Sequence, residues 1–479
     1  MPTHRNPANR AEASHGDQVG GLSIHIRLSP APTIMFAMNA SHPQDTTRRS
    51  SALLTDKYEL TMLDAAIKDG TADRQVSFEV FARRLPGQRR YGVVAGTDRV
   101  LRTVRDFVFT DEQLEYLDFL SDETIDYLRN YRFSGHIDGY SEGELYFPYS
   151  PILTARGTFA ECVVLETVIL SIMNADSAVA TAAARMVTAA EGRPLMEMGS
   201  RRTHEYAAVT ATRAAYLAGF SSTSNLEAAY RYNIPSAGTA AHAWTLAHTT
   251  SEGAHEDEAF RTQIDALGIG TTLLVDTYDI AAGVRTAIDV AGTDLGGIRI
   301  DSGELGVLAR QVRDQLDTLG ATNTKIVVSS DLDEFAIAAL RSEPVDAYGV
   351  GTSVVTGSGH PTAEMVYKLV EVDGLPVAKR SSHKISHGGT KRAYRAVRES
   401  GTAVEEVITH FDDEAPKLYN GLHARPLTVA LMRDGEITGN LPSLEACREY
   451  LSQALITLPW EGLALSADEP AISTRFVGF

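Results

Sequence analysis

Between residues 194 and 353 the chain keeps one rhythm: a short apolar run, a polar turn, then a helix-length stretch. The runs fall at 195–199, 217–220, 234–236, 272–275, 297–300, 325–328 and 345–350. Apolar runs that alternate with helices describe repeated βα units and a parallel sheet. No other feature restricts the fold as much. Seven units favour a closed but irregular α/β barrel over an open doubly wound sheet, although both put ligands at the same strand ends.

Each run gives way to polar residues. Asp276, Thr277, Tyr278 and Asp279 come after the fourth, and Asp301, Ser302, Gly303 and Glu304 after the fifth. Ser222, Thr223 and Ser224 come after the second, and Gly351, Thr352 and Ser353 after the seventh. Helix capping accounts for some of these residues. It accounts poorly for the arginines among them, Arg201, Arg202 and Arg299. Arg299 and Asp301 are two apart, so one side of the strand presents both. An arginine there takes a carboxylate or phosphate. Asp301 takes ribose hydroxyls, or a metal through water. Residues 351–353 offer backbone N–H groups and hydroxyls, as a phosphate nest does.

After the third run come Gly238, Thr239 and His242. Gly238 reads as a tight turn, Thr239 as a cap or anion ligand, and His242 as the start of a helix whose N–H groups face a ligand. A histidine that merely caps the helix is an equally good reading of this stretch alone. No GxxxxGK[ST] occurs and no dinucleotide fingerprint opens a sheet, so a phosphate-bearing sugar suits the chain better than a classical nucleotide fold.

Net charge is -18, which argues against nucleic acid as a partner but leaves room for local basic sites. Arg83, Arg84, Arg89 and Arg90 flank Pro86 and Gly87, either to grip phosphates or as a solvated loop. The run from Lys379 through Lys384 to Arg395 reads equally as a polyphosphate site or a solvated hairpin. Two cysteines, Cys162 and Cys447, make neither a disulfide framework nor a zinc cluster.

Residues 1–50 read as a disordered extension, with no signal-peptide order and no apolar run long enough for a membrane. A reducing cytoplasm fits. A helix is expected near 54–62 with Thr55 or Asp56 as its cap, a strand at 76–81, two short acidic helices within 111–131, and a boundary at the prolines of 146–151. The stretch 161–190, with Glu166, Asn174 and Arg185, reads as a packing helix. The expected segments are 51–150, the barrel at 151–374, and 375–479.

The motifs together resemble the nicotinate phosphoribosyltransferases over roughly 51–450. The matching pieces are Thr55–Asp56–Lys57–Tyr58, Gly199–Ser200–Arg201–Arg202, Thr223–Ser224–Asn225, Gly238–Thr239–Ala240–Ala241–His242, Arg299–Ile300–Asp301–Ser302–Gly303, Tyr348–Gly349–Val350–Gly351–Thr352 and Lys379–Arg380–Ser381–Ser382–His383–Lys384. The resemblance implies an irregular α/β barrel with a second, smaller α+β domain formed from both chain ends. It implies a homodimer in which Tyr58 crosses the interface.

The implied reaction joins nicotinate to phosphoribosyl pyrophosphate, with Mg2+ on the pyrophosphate and ATP hydrolysis coupled through phosphorylated His242. It further implies a transfer site of His242, Arg299 and Asp301. Substrate contacts are implied at Tyr58, Arg201, Arg202, Ser222, Thr223, Ser224, Thr239, Gly351, Thr352, Ser353 and Lys384. Tyr58 suits stacking on the pyridine, and Arg202 and Arg299 suit phosphate or the ring carboxylate. Nicotinamide-using relatives carry an aspartate near 222–224. This chain has only hydroxyls there, which favours nicotinate. Arg89 and Arg90 stand where family members often have glycines, so the shape of that loop departs from the pattern. A nicotinamide or quinolinate enzyme, or a non-catalytic metabolite-binding protein on the same scaffold, is the alternative.

Overall fold

The computed structural model describes residues 50–379, 387–439 and 441–479. The extension expected before Ser50, and Lys384 in the basic run, lie outside the described residues.

Six strands form one parallel sheet in the order Thr272–Leu274, Gly297–Ile300, Lys325–Ser330, Ala347–Val350, Leu195–Glu197 and Ser222–Thr223. A single parallel bridge from Thr223 to Ser236 extends it. Among the described residues nothing pairs Ser236 with Thr272–Leu274, so the barrel is open along that seam. The run at 217–220 is not a strand. Leu217 and Ala218 complete the buried face of helix Glu205–Ala218, and Gly219, at φ 123°, ends it. Only Ser222 and Thr223 remain to pair.

Alternation decides what faces the interior. Leu195, Leu273, Ile298, Ile300, Ile326, Val328, Tyr348 and Val350 point outward under the helices and are buried. Met196, Ser222, Thr272, Arg299, Val327 and Ala347 alternate with them and are only partly buried. A filled barrel stacks bulky branched side chains inside. This one keeps its core between sheet and helices and leaves a lumen of about 240 Å³, lined by Met196, Met198, Ser222, Thr239, Arg299 and Gly349 among others. Gly349 is required there, because a Cβ on it would stand 2.5 Å from the Met198 Sδ and 3.1 Å from the Ser329 Cβ.

A second, antiparallel sheet joins both halves of the chain. Its order is Leu375–Pro376, Met365–Val372, Gln75–Ala82, Leu153–Thr158, His136–Gly139, Val429–Arg433 and Glu436–Ile437. Leu153–Thr158 and Met365–Val372, which fall inside the expected 151–374 segment, are strands of this sheet rather than of the barrel. The prolines of 146–151 mark an interior crossing rather than a linker: Tyr146, Phe147 and Ser150 are buried.

Helix Glu166–Ala190 ties the two cores together. Val168, Ile169, Ile172 and Met173 pack in the core of the antiparallel sheet, and Val179, Ala180, Ala183, Ala184 and Met186 in that of the barrel. The helix is long and apolar enough to cross a membrane, but 72 % of its most apolar window is buried inside the protein. Its charged side chains are spent on packing partners. Asp176 takes both contacts of the Arg99 guanidinium at 2.7 Å, and Arg185 donates to Glu334 at 3.0 Å. Both cysteines are free thiols, and both are buried.

Candidate active site at the barrel mouth

Three consecutive elements converge on His242. The residue opens the short helix His242–Ala247, and its Nδ1 lies 3.1 Å from the Thr277 hydroxyl. Its Nε2 lies 3.9 Å from an Asp276 oxygen and 4.0 Å from Asp301. Trp244, two residues on, donates from its indole N–H to the Ala259 carbonyl at 3.0 Å, which fastens the helix to the next one.

Asp276 is the hub. Its side chain is fully buried. Oδ2 accepts from the Asp301 N–H at 2.8 Å and from the Ser302 hydroxyl at 2.7 Å. Oδ1 is buried without a hydrogen-bond partner. A carboxylate oxygen left in that state is costly unless something meets it, and the group facing it is His242. Arg299 and Asp301 share the lumen side, as their spacing requires. The Arg299 Nη2 is 3.6 Å from Asp301, and the Ser329 hydroxyl bridges them, accepting from the Arg299 Nε at 2.9 Å and donating to Asp301.

The hydroxyl platform divides by face. Ser222 lines the lumen. Thr223 points the other way and is fully buried, and its hydroxyl donates to Glu197 at 2.7 Å. Thr223 therefore supports the platform from its buried side. Gly238 also differs from expectation. It has no positive φ, and nothing stands within 4 Å of where a Cβ would go. Its position on the lumen wall beside Thr239, rather than a turn, is what it offers.

Arg201 and Arg202 are exposed above the mouth, and no described residue pairs with their side chains. Thr352 and Ser353 open the short helix Thr352–Val355 directly after Gly351. Three of the four arginines near Gly87 are engaged elsewhere, while the Arg83 guanidinium lies over the Phe81 ring with its buried Nε unpartnered. Arg84 meets Glu364, buried Arg89 donates to the Gly357 carbonyl at 2.6 Å, and Arg90 meets Asp468. Neither a phosphate grip nor a solvated loop describes Arg89.

Tyr58 is the second residue of helix Lys57–Asp69, whose N-cap position Asp56 occupies without a side-chain capping bond. It is 45 % exposed, and among the described residues no hydrogen bond or ion pair joins it to the barrel mouth. Partial burial, with Glu166 beside it, raises its phenol above the ordinary value.

Sequence patterning does not single out Asp276, Ser329 and Glu197 as site members. The first two carried a signal, since both sit at strand ends on the same alternating face as Asp301.

Models of two families match the chain: the nicotinate phosphoribosyltransferase N-terminal domain at residues 53–174 and the nicotinate phosphoribosyltransferase family at 194–414. A nicotinate phosphoribosyltransferase of Mycobacterium tuberculosis, pncB1, is 61% identical over 431 residues, covering 89% of this chain and 95% of that one. The chain belongs to the nicotinate phosphoribosyltransferase family. The enzyme of that name from Bacillus subtilis is 35% identical, over 86% of this chain and 90% of its own length. The crystal structure of human nicotinic acid phosphoribosyltransferase superposes with a TM-score of 0.74 at 25% identity, covering 89% of this chain and 98% of that one. The fold is thus that of the family.

Proposed function

We propose that this chain transfers the phosphoribosyl group of phosphoribosyl pyrophosphate to nicotinate, with ATP hydrolysis coupled through phosphorylated His242. One observation carries the reading: His242 lies 3.9 Å from Asp276 and 4.0 Å from Asp301, and Arg299 lies 3.6 Å from Asp301, above a largely apolar lumen. A pyridine ring suits that lumen, and its carboxylate suits the Arg299 guanidinium. Asp301 is positioned to accept from the ribose hydroxyls.

In the transfer, the C1–O bond to pyrophosphate breaks and its electron pair leaves with pyrophosphate. The lone pair of the pyridine nitrogen forms the new C1–N bond, and no proton moves. The protein's part is to orient both partners and to balance charge. Arg201 and Arg202, free of protein partners among the described residues, suit the departing phosphates.

Among the described residues no three metal-ligating side chains are drawn together. Asp276 and Asp301 are nonetheless oxygen donors of the kind Mg2+ takes alongside substrate phosphates and water. Asp276 and Asp301 would hold Mg2+ there, and its charge would help neutralise the leaving pyrophosphate.

Neutral imidazole is a nucleophile. The His242 ring is held by Thr277 at Nδ1, with Nε2 turned toward Asp276 and Asp301. Attack on the γ-phosphorus of ATP would release ADP and leave phosphohistidine, which water then returns to histidine and phosphate. Ser222, with no carboxylate on its strand's lumen side, favours nicotinate over nicotinamide. The exposure of Tyr58 away from its own chain's site supports its contribution to a second copy in a homodimer.

Replacing His242 by alanine tests the coupling. The His242→Ala protein is expected to lose ATP hydrolysis and the acid-labile phosphoryl label while keeping some mononucleotide formation at high substrate. A variant that still takes up the label would place the acceptor elsewhere.

A further inference from the structure

We propose that Glu197 is a positioning residue that holds the two phosphate-facing loops of this site in one arrangement, an inference that rests on the function proposed above. The residue is 1 % exposed. Every contact its carboxylate makes is with a neutral donor. Oε2 accepts from the Thr212 hydroxyl at 2.8 Å and the Thr223 hydroxyl at 2.7 Å, and Oε1 accepts from the Gly199 N–H. No cation forms an ion pair with it among the described residues. A buried carboxylate without a counter-charge persists only where dipoles satisfy it. These dipoles come from three segments: the loop at 199–202, helix Glu205–Ala218 and strand Ser222–Thr223.

Each contact has a consequence at the mouth. Gly199 is drawn against the opposite loop, where a Cβ would meet the Val355 Cγ1 at 2.3 Å and the Gly351 carbonyl at 2.8 Å. The 199–202 turn, closed by Arg202 N–H to the Gly199 carbonyl at 2.8 Å, therefore lies at Gly199 against Gly351 and Val355. Thr223 relays the hold further. Its hydroxyl donates to Glu197 and accepts from the Asn225 N–H at 2.9 Å, and the Asn225 amide donates to the Ser200 hydroxyl at 2.9 Å. Arg201 and Arg202 come next in the chain. The Glu197 carboxylate makes no hydrogen bond to a lumen-lining residue, so it acts through these loops and not on the substrate.

The test uses the full chain with Glu197→Ala, Glu197→Gln and Thr212→Val. Thr212 lies on the helix side, away from the mouth. Losing a hydrogen bond to this carboxylate should raise KM for phosphoribosyl pyrophosphate about tenfold or more in Glu197→Ala and Thr212→Val, with kcat changed far less. In Glu197→Gln the amide oxygen accepts from Gly199 while the amide N–H groups donate to the two rotated hydroxyls, so KM should stay near wild type.

Titration of inorganic pyrophosphate by calorimetry reads the same loops without turnover and should weaken in step with KM. An unchanged KM and pyrophosphate affinity, with only a lower melting temperature, would overturn the proposal. Thr212→Val decides the matter if Glu197→Ala does not fold. Should the wild-type protein make no mononucleotide, the proposed function fails, while pyrophosphate affinity lost in Thr212→Val still supports the positioning role.

Discussion

Asp276 shows how one side chain can organise a site without standing at its centre. One oxygen fixes the backbone and hydroxyl of the next strand end, and the other faces His242. Removing it frees the loop that carries Asp301 and takes the carboxylate from beside the imidazole. Asp276→Ala is expected to lower product formation about tenfold to a hundredfold, the scale of losing one or two hydrogen bonds to a charged group. Far-ultraviolet circular dichroism should be unchanged. Steady-state kinetics with both substrates varied checks this, and near-normal turnover would refute the hub assignment.

At the scale of elements, the strand Lys391–Val397 carries Arg395 into a fully buried network. Its Nη2 donates to Glu406 at 2.9 Å and to the Leu145 carbonyl at 2.8 Å, and Nη1 lies 3.7 Å from Glu144. Tyr140 and Ser150 add donors to Glu406. The network links a strand from the C-terminal part of the chain to the 140–150 crossing. Breaking such a network on one side leaves uncompensated buried charge. Arg395→Leu is expected to cost roughly 3–5 kcal/mol of stability, read as a lower midpoint in urea unfolding. Its position in a basic-looking stretch invites an anion-site reading, but its burial reveals a structural cation.

The molecule as a whole carries a stability term that depends on pH. Glu256, at the start of helix Glu256–Leu267, is half-buried, and its Oε1 has no hydrogen-bond partner. Burial, then the charge of Asp279, pushes its carboxyl up from 4.5 to about 7. The native state therefore keeps a proton that the unfolded chain releases between about pH 4.5 and 7. This contribution is intact below the unfolded value and is lost as pH rises through the folded one. Glu256→Gln removes the titration. The variant should melt higher than wild type at about pH 8, with the difference closing near about pH 4.5. Differential scanning calorimetry across that range checks it, and a constant difference would exclude Glu256 as the source.

Local rules made much of this protein legible before folding. Apolar runs separated by helix-length stretches dictate βα units, and the i, i+2 spacing of Arg299 and Asp301 dictates a shared face, because strand alternation needs no tertiary information. The helix start before Tyr58 and the packing role of the stretch ending at Ala190 arise from local chemistry in the same way. Other features depend on which segments meet. What Thr223 meets on its buried side, Glu197, and what closes on Gly349, Met198, are decided only in the folded chain. Arg89 and Arg395 look like ligands for anions until burial and a carbonyl or carboxylate partner claim them. Charge and spacing along a chain are local, whereas desolvation and partnership belong to the packed whole. The strand ends were therefore readable from the sequence, and only the tertiary structure decided which of their side chains face the mouth and which hold it in place.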